Sequence, residues 1–202
     1  MKYLTIFLVI LASLSFMFCE KKTESHLAKR ESTIVIEGLT DDSNLFLEDQ
    51  INHLKGLAEE EIIIKAIQAC NEKNKKLTKE EISRLDNEWQ QNNSEDNPFI
   101  KKLLFDECSD QLRNFQAHRP QYLEIFVMDN KGLIVAESDI TSDYLQADEA
   151  KWSEVFGKNK VWHGKLEYDK SSNAPGVQVS IPVKDIGAIC ATISLRNRHT
   201  VR

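Results

Sequence analysis

Glycine is scarce in this chain, with 7 in 202 residues. No glycine-rich loop is present to cradle a phosphate, and no GxSxG elbow presents a nucleophilic serine. Cysteine is scarce too, at 4. No two cysteines form a CxxC pair, which excludes zinc ribbons and thioredoxin-like redox motifs. The 5 histidines, at 26, 53, 118, 163 and 199, lack the i, i+4 spacing of a helical zinc site. Asp139, Asp143, Asp148 and Glu149 offer hard oxygen donors, but not at the spacing of an EF-hand loop. Basic stripes interleaved with aromatics are missing, and the formal net charge is −6, so nucleic acid is not an expected partner. We therefore expect no enzyme activity, no catalytic residue, no cofactor and no metal. Apolar residues make up 41% and charged residues 29%, as in a folded soluble protein.

The first residues have a different character. In MKYLTIFLVILASLSFMFCEKK, Lys2 precedes an uncharged run from Tyr3 to Cys19. A short basic region followed by an apolar one is the form of an export signal. Three fates fit it: lipidation of Cys19 after cleavage before it, ordinary cleavage, or retention as an anchor. Phe16, Met17 and Phe18 stand where a lipoprotein signal favours small residues, while the position of Cys19 suits one. The run is at the short limit for spanning a bilayer of roughly 30 Å. All three fates place the folded part outside the cytoplasm, in the periplasm or at the cell surface, membrane-attached through the N-terminus in two of them. We expect residues 1–19 to be the signal, 20–43 a polar tether, and 44–198 a single domain.

Within that domain a helical part, 44–118, precedes a sheet part, 121–196. Leu45, Leu47, Ile51, Leu54, Leu57, Ala58, Ile62, Ala66 and Ala69 recur at three- and four-residue steps and predict one long amphipathic helix. Thr78 followed by Glu81 is a capping box, with Ile82, Leu85 and Trp89 on one face behind it. A third helical pattern runs from Phe99 to Phe115. The texture then changes. YLEIFVMD, NKG and LIVAES read as strand, turn and strand, and TSDYLQADEAKW (141–152) follows, with Asp148 as a helix N-cap. VWHGKLEYD, VQVSIPVKD and IGAICATISL complete the strands. Cys70 and Cys108 lie in helical patterns and are left open as a disulfide pair. After the last strand we expect no output domain. The predicted fold is α+β: an antiparallel sheet of about five strands, a long N-terminal helix and further helices packed on one side.

LTKEEISRLDNEW, YLEIFVMDNKGLIVAESDITSDYLQADEAKW, LEYDKSS, VQVSIPV and IGAICATISL resemble the extracytoplasmic PDC/Cache sensor domains, single-Cache type, over roughly 75–195. The resemblance implies a PAS-like sheet and a small-molecule sensor. In close relatives the quoted segment usually reads TSDYWQGDEAKW. Here Leu145 replaces the usual Trp, a large flat wall, and Ala147 replaces a conformationally freer Gly. The arginine near a Trp-Tyr pair that marks amino-acid binding in some Cache domains is absent, so amino acids are not assigned.

The resemblance also implies a cavity between one sheet face and the segment joining the second and third strands, here 139–160. Tyr144, Gln146 and Asp148 would offer it a hydroxyl, an amide and a carboxylate, Trp152 an aromatic wall, and Asp169 a carboxylate from the end of the third strand. Asp148 reads equally as a cap and Trp152 as core. Gln178 and Ser180 share a face, and alternation with Val177, Val179 and Ile181 favours solvent for Gln178. Two functions follow. One is an extracytoplasmic small-molecule-binding sensor without its own output domain, passing occupancy to a membrane signalling partner, with a homodimer as a further association. The alternative is a structural or interaction lipoprotein whose Cache pocket is degenerate and filled, motivated by Leu145 and Ala147.

Overall fold

A computed structural model describes residues 33–169 and 174–195, which fall in one compact unit, Glu31–Arg202. The leader, Cys19, the first part of the tether and residues 196–198 of the expected domain lie outside the described residues. Six helices and five strands follow one another: α1 (Asp41–Ala58), α2 (Glu61–Asn74), α3 (Lys79–Gln91), α4 (Pro98–Leu104), α5 (Glu107–Ala117), β1 (Tyr122–Met128), β2 (Ile134–Glu137), α6 (Ala150–Ser153), β3 (Trp162–Asp169), β4 (Ala174–Val183) and β5 (Gly187–Ser194). The strands form one antiparallel sheet in the order β2-β1-β5-β4-β3. The fold is α+β and PAS-like, as expected.

The long amphipathic stripe divides into α1 and α2. Glu60 is extended, with φ −65° and ψ 138°, and the chain turns there. The turn rotates the buried stripe by one residue. Ile63 and Ile67 are the fully buried residues, Ile62 and Ala66 are partly buried against the same core, and Ala69 is exposed. The reason lies in the sheet: α1 packs on β4 and β5, while α2 packs on β1, β2 and α5. A straight helix would leave half of the face uncovered. The pattern from Phe99 divides in the same way, because Asp106 caps a new helix by accepting from Ser109 N at 2.8 Å. Thr78 and Glu81 form the expected capping box of α3. Residues 34–43, read as the end of the tether, join the fold. Ile36 and Leu39 are buried, Asn44 Oδ1 accepts from Ile36 N at 3.1 Å, and Thr40 caps α1.

The two faces of the sheet carry two apolar clusters. On one face Ile125, Val127, Val177, Val179, Ile181, Ile189, Ala191 and Ile193 pack under α1, α2 and α5. This is the helical layer predicted from the sequence. On the other face Phe126, Met128, Ala188 and Cys190 form a smaller cluster with Trp89 of α3, Ile100 and Leu104 of α4, Tyr144 and Val155. Sheet residues of both parities are therefore buried at this end. That explains the nearly continuous apolarity of β5. Cys70, Cys108 and Cys190 are free thiols, and burial pushes that of Cys108 up to about 12.

Candidate functional site

The TSDYLQADEAKW segment is held from three sides. From α3, Asp86 Oδ1 accepts from both Tyr144 N and Leu145 N at 2.9 Å. The Trp89 indole donates to Thr141 O at 2.9 Å, and Asn93 donates to the same carbonyl at 2.8 Å. From the β1–β2 turn, Gly132 O accepts from Gln146 N at 2.7 Å, and Ile134 N donates to Tyr144 O at 3.0 Å. Gly132 has φ +74°, and Ala147 packs directly on it. Just after β1, Asp129 O accepts from the Trp152 indole at 3.2 Å. The Asp129 carboxylate is itself fixed by Lys131 N, Leu133 N and Asn74 Nδ2. Bonds to charged acceptors such as Asp86 and Asp129 stabilise by roughly 1.5–3 kcal/mol each.

This anchoring places the expected ligand contacts elsewhere. Tyr144 is buried in the smaller cluster, stacked on Trp89 at 5.5 Å and edge-on to Phe99 at 5.0 Å. Burial raises the Tyr144 hydroxyl above its ordinary pKa. Gln146 is buried, its amide nitrogen donates to Asp143 O at 2.9 Å, and its Oε1 has no partner. Trp152 is half-buried and stacked on Phe156 at 4.9 Å. Asp148 is exposed, and Glu149 rather than Asp148 takes the N-cap position of α6, with no side-chain cap bond. Asp169 ends β3 opposite Ala174. The interior beneath Tyr144 is thus filled by aromatic rings.

An open groove of about 1250 Å³ lies beside it, between this segment and the sheet. Ile140, Ser142, Glu149 and Lys151 wall one side. Glu124 of β1, Thr192 of β5, Gln178 of β4 and Trp162 of β3 contribute from the sheet. Gln178 refines the alternation argument. It does point away from the larger core, but the face it joins borders the groove. The register explains the grouping: Gln178 pairs with Thr192, and Thr192 with Glu124, so the three share one row across the sheet.

Lys151 is the unusual member. Its side chain is only 9% exposed, yet the residue lines the groove. It lies 2.9 Å from Glu149 Oε1 and 5.4 Å from the centre of the Phe126 ring. A buried ammonium is costly unless paired, and Glu149 is itself 42% exposed. A hydrogen-bond acceptor in the groove would offset that cost. Sequence reasoning missed Lys151 because it sits between two residues it weighed, Glu149 and Trp152. Among the described residues no group of three or more His, Cys, Asp or Glu is placed to hold a metal ion, and no helix is long and apolar enough to cross a membrane.

No family model matches the chain, and no curated protein matches it. Solved structures do. The extracellular domain of a protein described as a histidine kinase, vpHK1S-Z8, is 11% identical with a TM-score of 0.43, over 77% of this chain and 54% of that one. The Vibrio cholerae histidine kinase DctB sensor domain is 14% identical with a TM-score of 0.35, over 76% and 58%. The ligand-binding domain of the Campylobacter jejuni chemoreceptor Tlp3, in complex with 4-methylisoleucine, is 14% identical with a TM-score of 0.36, over 77% and 61%. The DctB domain is a sensor domain and the Tlp3 domain a ligand-binding domain. The chain spans between half and two thirds of the length of each of these three.

Proposed function

We propose that this protein is an extracytoplasmic sensor module of the PDC/Cache kind, taking a small molecule with a carboxylate or similar acceptor group in the groove between the 140–151 segment and the sheet. The observation that carries the reading is the nearly buried Lys151 lining that groove, with Gln178 and Thr192 on the sheet. Trp162 supplies an aromatic wall. Glu149 already neutralises Lys151, so a ligand carboxylate would share or displace that pair. Attachment through Cys19 and a membrane partner that reads occupancy complete the proposal. No residue of the groove is assigned a catalytic role.

The test is thermal unfolding of the purified protein against a panel of mono- and dicarboxylates, amines and amino acids. A ligand at about 100 times its Kd adds roughly 2.7 kcal/mol to the native state, a rise of about 5–10 °C. Lys151→Met should weaken the best carboxylate by about 10- to 100-fold, the worth of one charge-assisted bond. Silence across the panel, or a ligand indifferent to Lys151, would overturn the reading.

One observation favours the alternative of a structural or interaction lipoprotein. Trp89, Phe99 and Tyr144 fill the space directly beneath the segment, where a Cache cavity was expected. That reading predicts no stabilisation by any small molecule, so the same panel separates the two.

A further inference from the structure

Glu137 is the last residue of β2, where the strand gives way to the segment that walls the groove. Its side chain is fully buried. Carboxyl Oε2 accepts from Thr141 N at 2.9 Å, while Oε1 has no hydrogen-bond partner. From β1 it faces Glu124 and from its own turn Asp139, both acids. From α5 comes the neutral Ser109, whose hydroxyl oxygen accepts from Glu137 N at 3.0 Å. The inward residues of α2 and α4 that pack near β2 are mainly apolar: Ile63, Ile67, Ile100 and Leu104. An ionised carboxylate there has one unmade bond, and the charged groups acting on it, Glu124 and Asp139, are both acids.

Its bonding to Thr141 is well placed. Thr141 is the residue whose carbonyl receives both Trp89 and Asn93 of the α3 end. Its neighbours Ile140 and Ser142 form the groove wall. A change at Glu137 therefore reaches the wall through a single residue.

We propose that Glu137 is a proton-operated latch on the groove wall: protonated, it stays inside and fixes Thr141; ionised, it moves to water and releases the 138–142 turn. Acid then tightens the wall and alkali loosens it. Burial is the largest cause of an upward shift of the Glu137 carboxyl to about 7, the Thr141 hydrogen bonds oppose it, and Glu124 and Asp139 add to it, so the change falls near neutrality. As a control on ligand access the latch rests on the sensor reading above, but it operates without a ligand and is tested without one.

The experiment is amide hydrogen exchange of the full-length protein from about pH 5.5 to about 8.5, corrected for intrinsic rates. Protection of the 138–145 peptide should fall by up to about tenfold per pH unit as pH rises toward the midpoint near 7 and level off above it, while that of 177–183 in β4 stays level. In Glu137→Gln the 138–145 protection should be independent of pH. A level wild-type profile, or a variant that keeps the same fall, overturns the latch. Carbon NMR titration of the Glu137 carboxyl in the wild-type protein decides the matter if the variant does not fold. A midpoint near 7 supports the latch, and one near the ordinary value of 4.5 overturns it.

Discussion

Replacing Gly132 by alanine isolates what holds the groove-bordering segment against the β1–β2 turn. Gly132 has φ +74°, in the left-handed region where a side chain costs about 1–2 kcal/mol. A Cβ there would also lie 2.7 Å from Ala147 Cβ and 2.8 Å from Ala147 Cα and N. Two of those three atoms are backbone, and that backbone is tied down by the Gln146 N to Gly132 O bond. It cannot retreat as a flexible side chain would. Overpacking of this sort costs about 1–3 kcal/mol more, for a total of about 2–5 kcal/mol. Gly157 supplies the control. Its φ is +72°, nearly the same, but nothing lies within 4 Å of its would-be Cβ. Gly157→Ala should therefore cost only the conformational share, about 1–2 kcal/mol. Urea unfolding of the two variants, with unchanged m-values, reads the difference directly. Adding Ala147→Gly to Gly132→Ala should recover only part of the loss, because the Cα and N contacts remain. Equal costs for Gly132→Ala and Gly157→Ala, or full rescue by Ala147→Gly, would refute the packing argument.

Asp86→Ala leaves the amides of Tyr144 and Leu145 without their shared acceptor. It should cost about 2–4 kcal/mol in urea unfolding and alter the near-ultraviolet dichroism of the Trp89–Tyr144 stack. Glu137 makes stability depend on pH in a defined direction. Its folded-state value of about 7 lies above its ordinary 4.5, so the stability it contributes is present below about pH 4.5 and lost as pH rises through 7. The difference between wild type and Glu137→Gln should shift by up to about 3 kcal/mol across that window. A constant difference would contradict the burial of this carboxyl.

The α+β class, the strand positions and the capping box of α3 were legible because they depend on local periodicity and turn chemistry. The helix breaks at 59–60 and 105–106 were not. α1 and α2 separate because they serve different strands, and no proline or glycine marks the place. The candidate site was legible in location only. The sequence drew attention to 141–152, and that segment does border the groove. Which of its side chains face the groove was misjudged, because Asp86, Trp89 and Asn93, more than forty residues earlier, fix how the segment is turned.

The sequence by itself determined the secondary-structure alphabet of this protein, its antiparallel sheet and the importance of one twelve-residue segment, all of which follow from short-range patterns. Only the tertiary structure decided that Tyr144 and Gln146 are buried, that Ala147 rests on Gly132, and that Lys151 and Gln178 line one groove. Those outcomes depend on contacts between residues far apart in the chain. A side chain's partner there is set by how two faces of one sheet are covered, and periodicity along a single strand or helix carries no record of that.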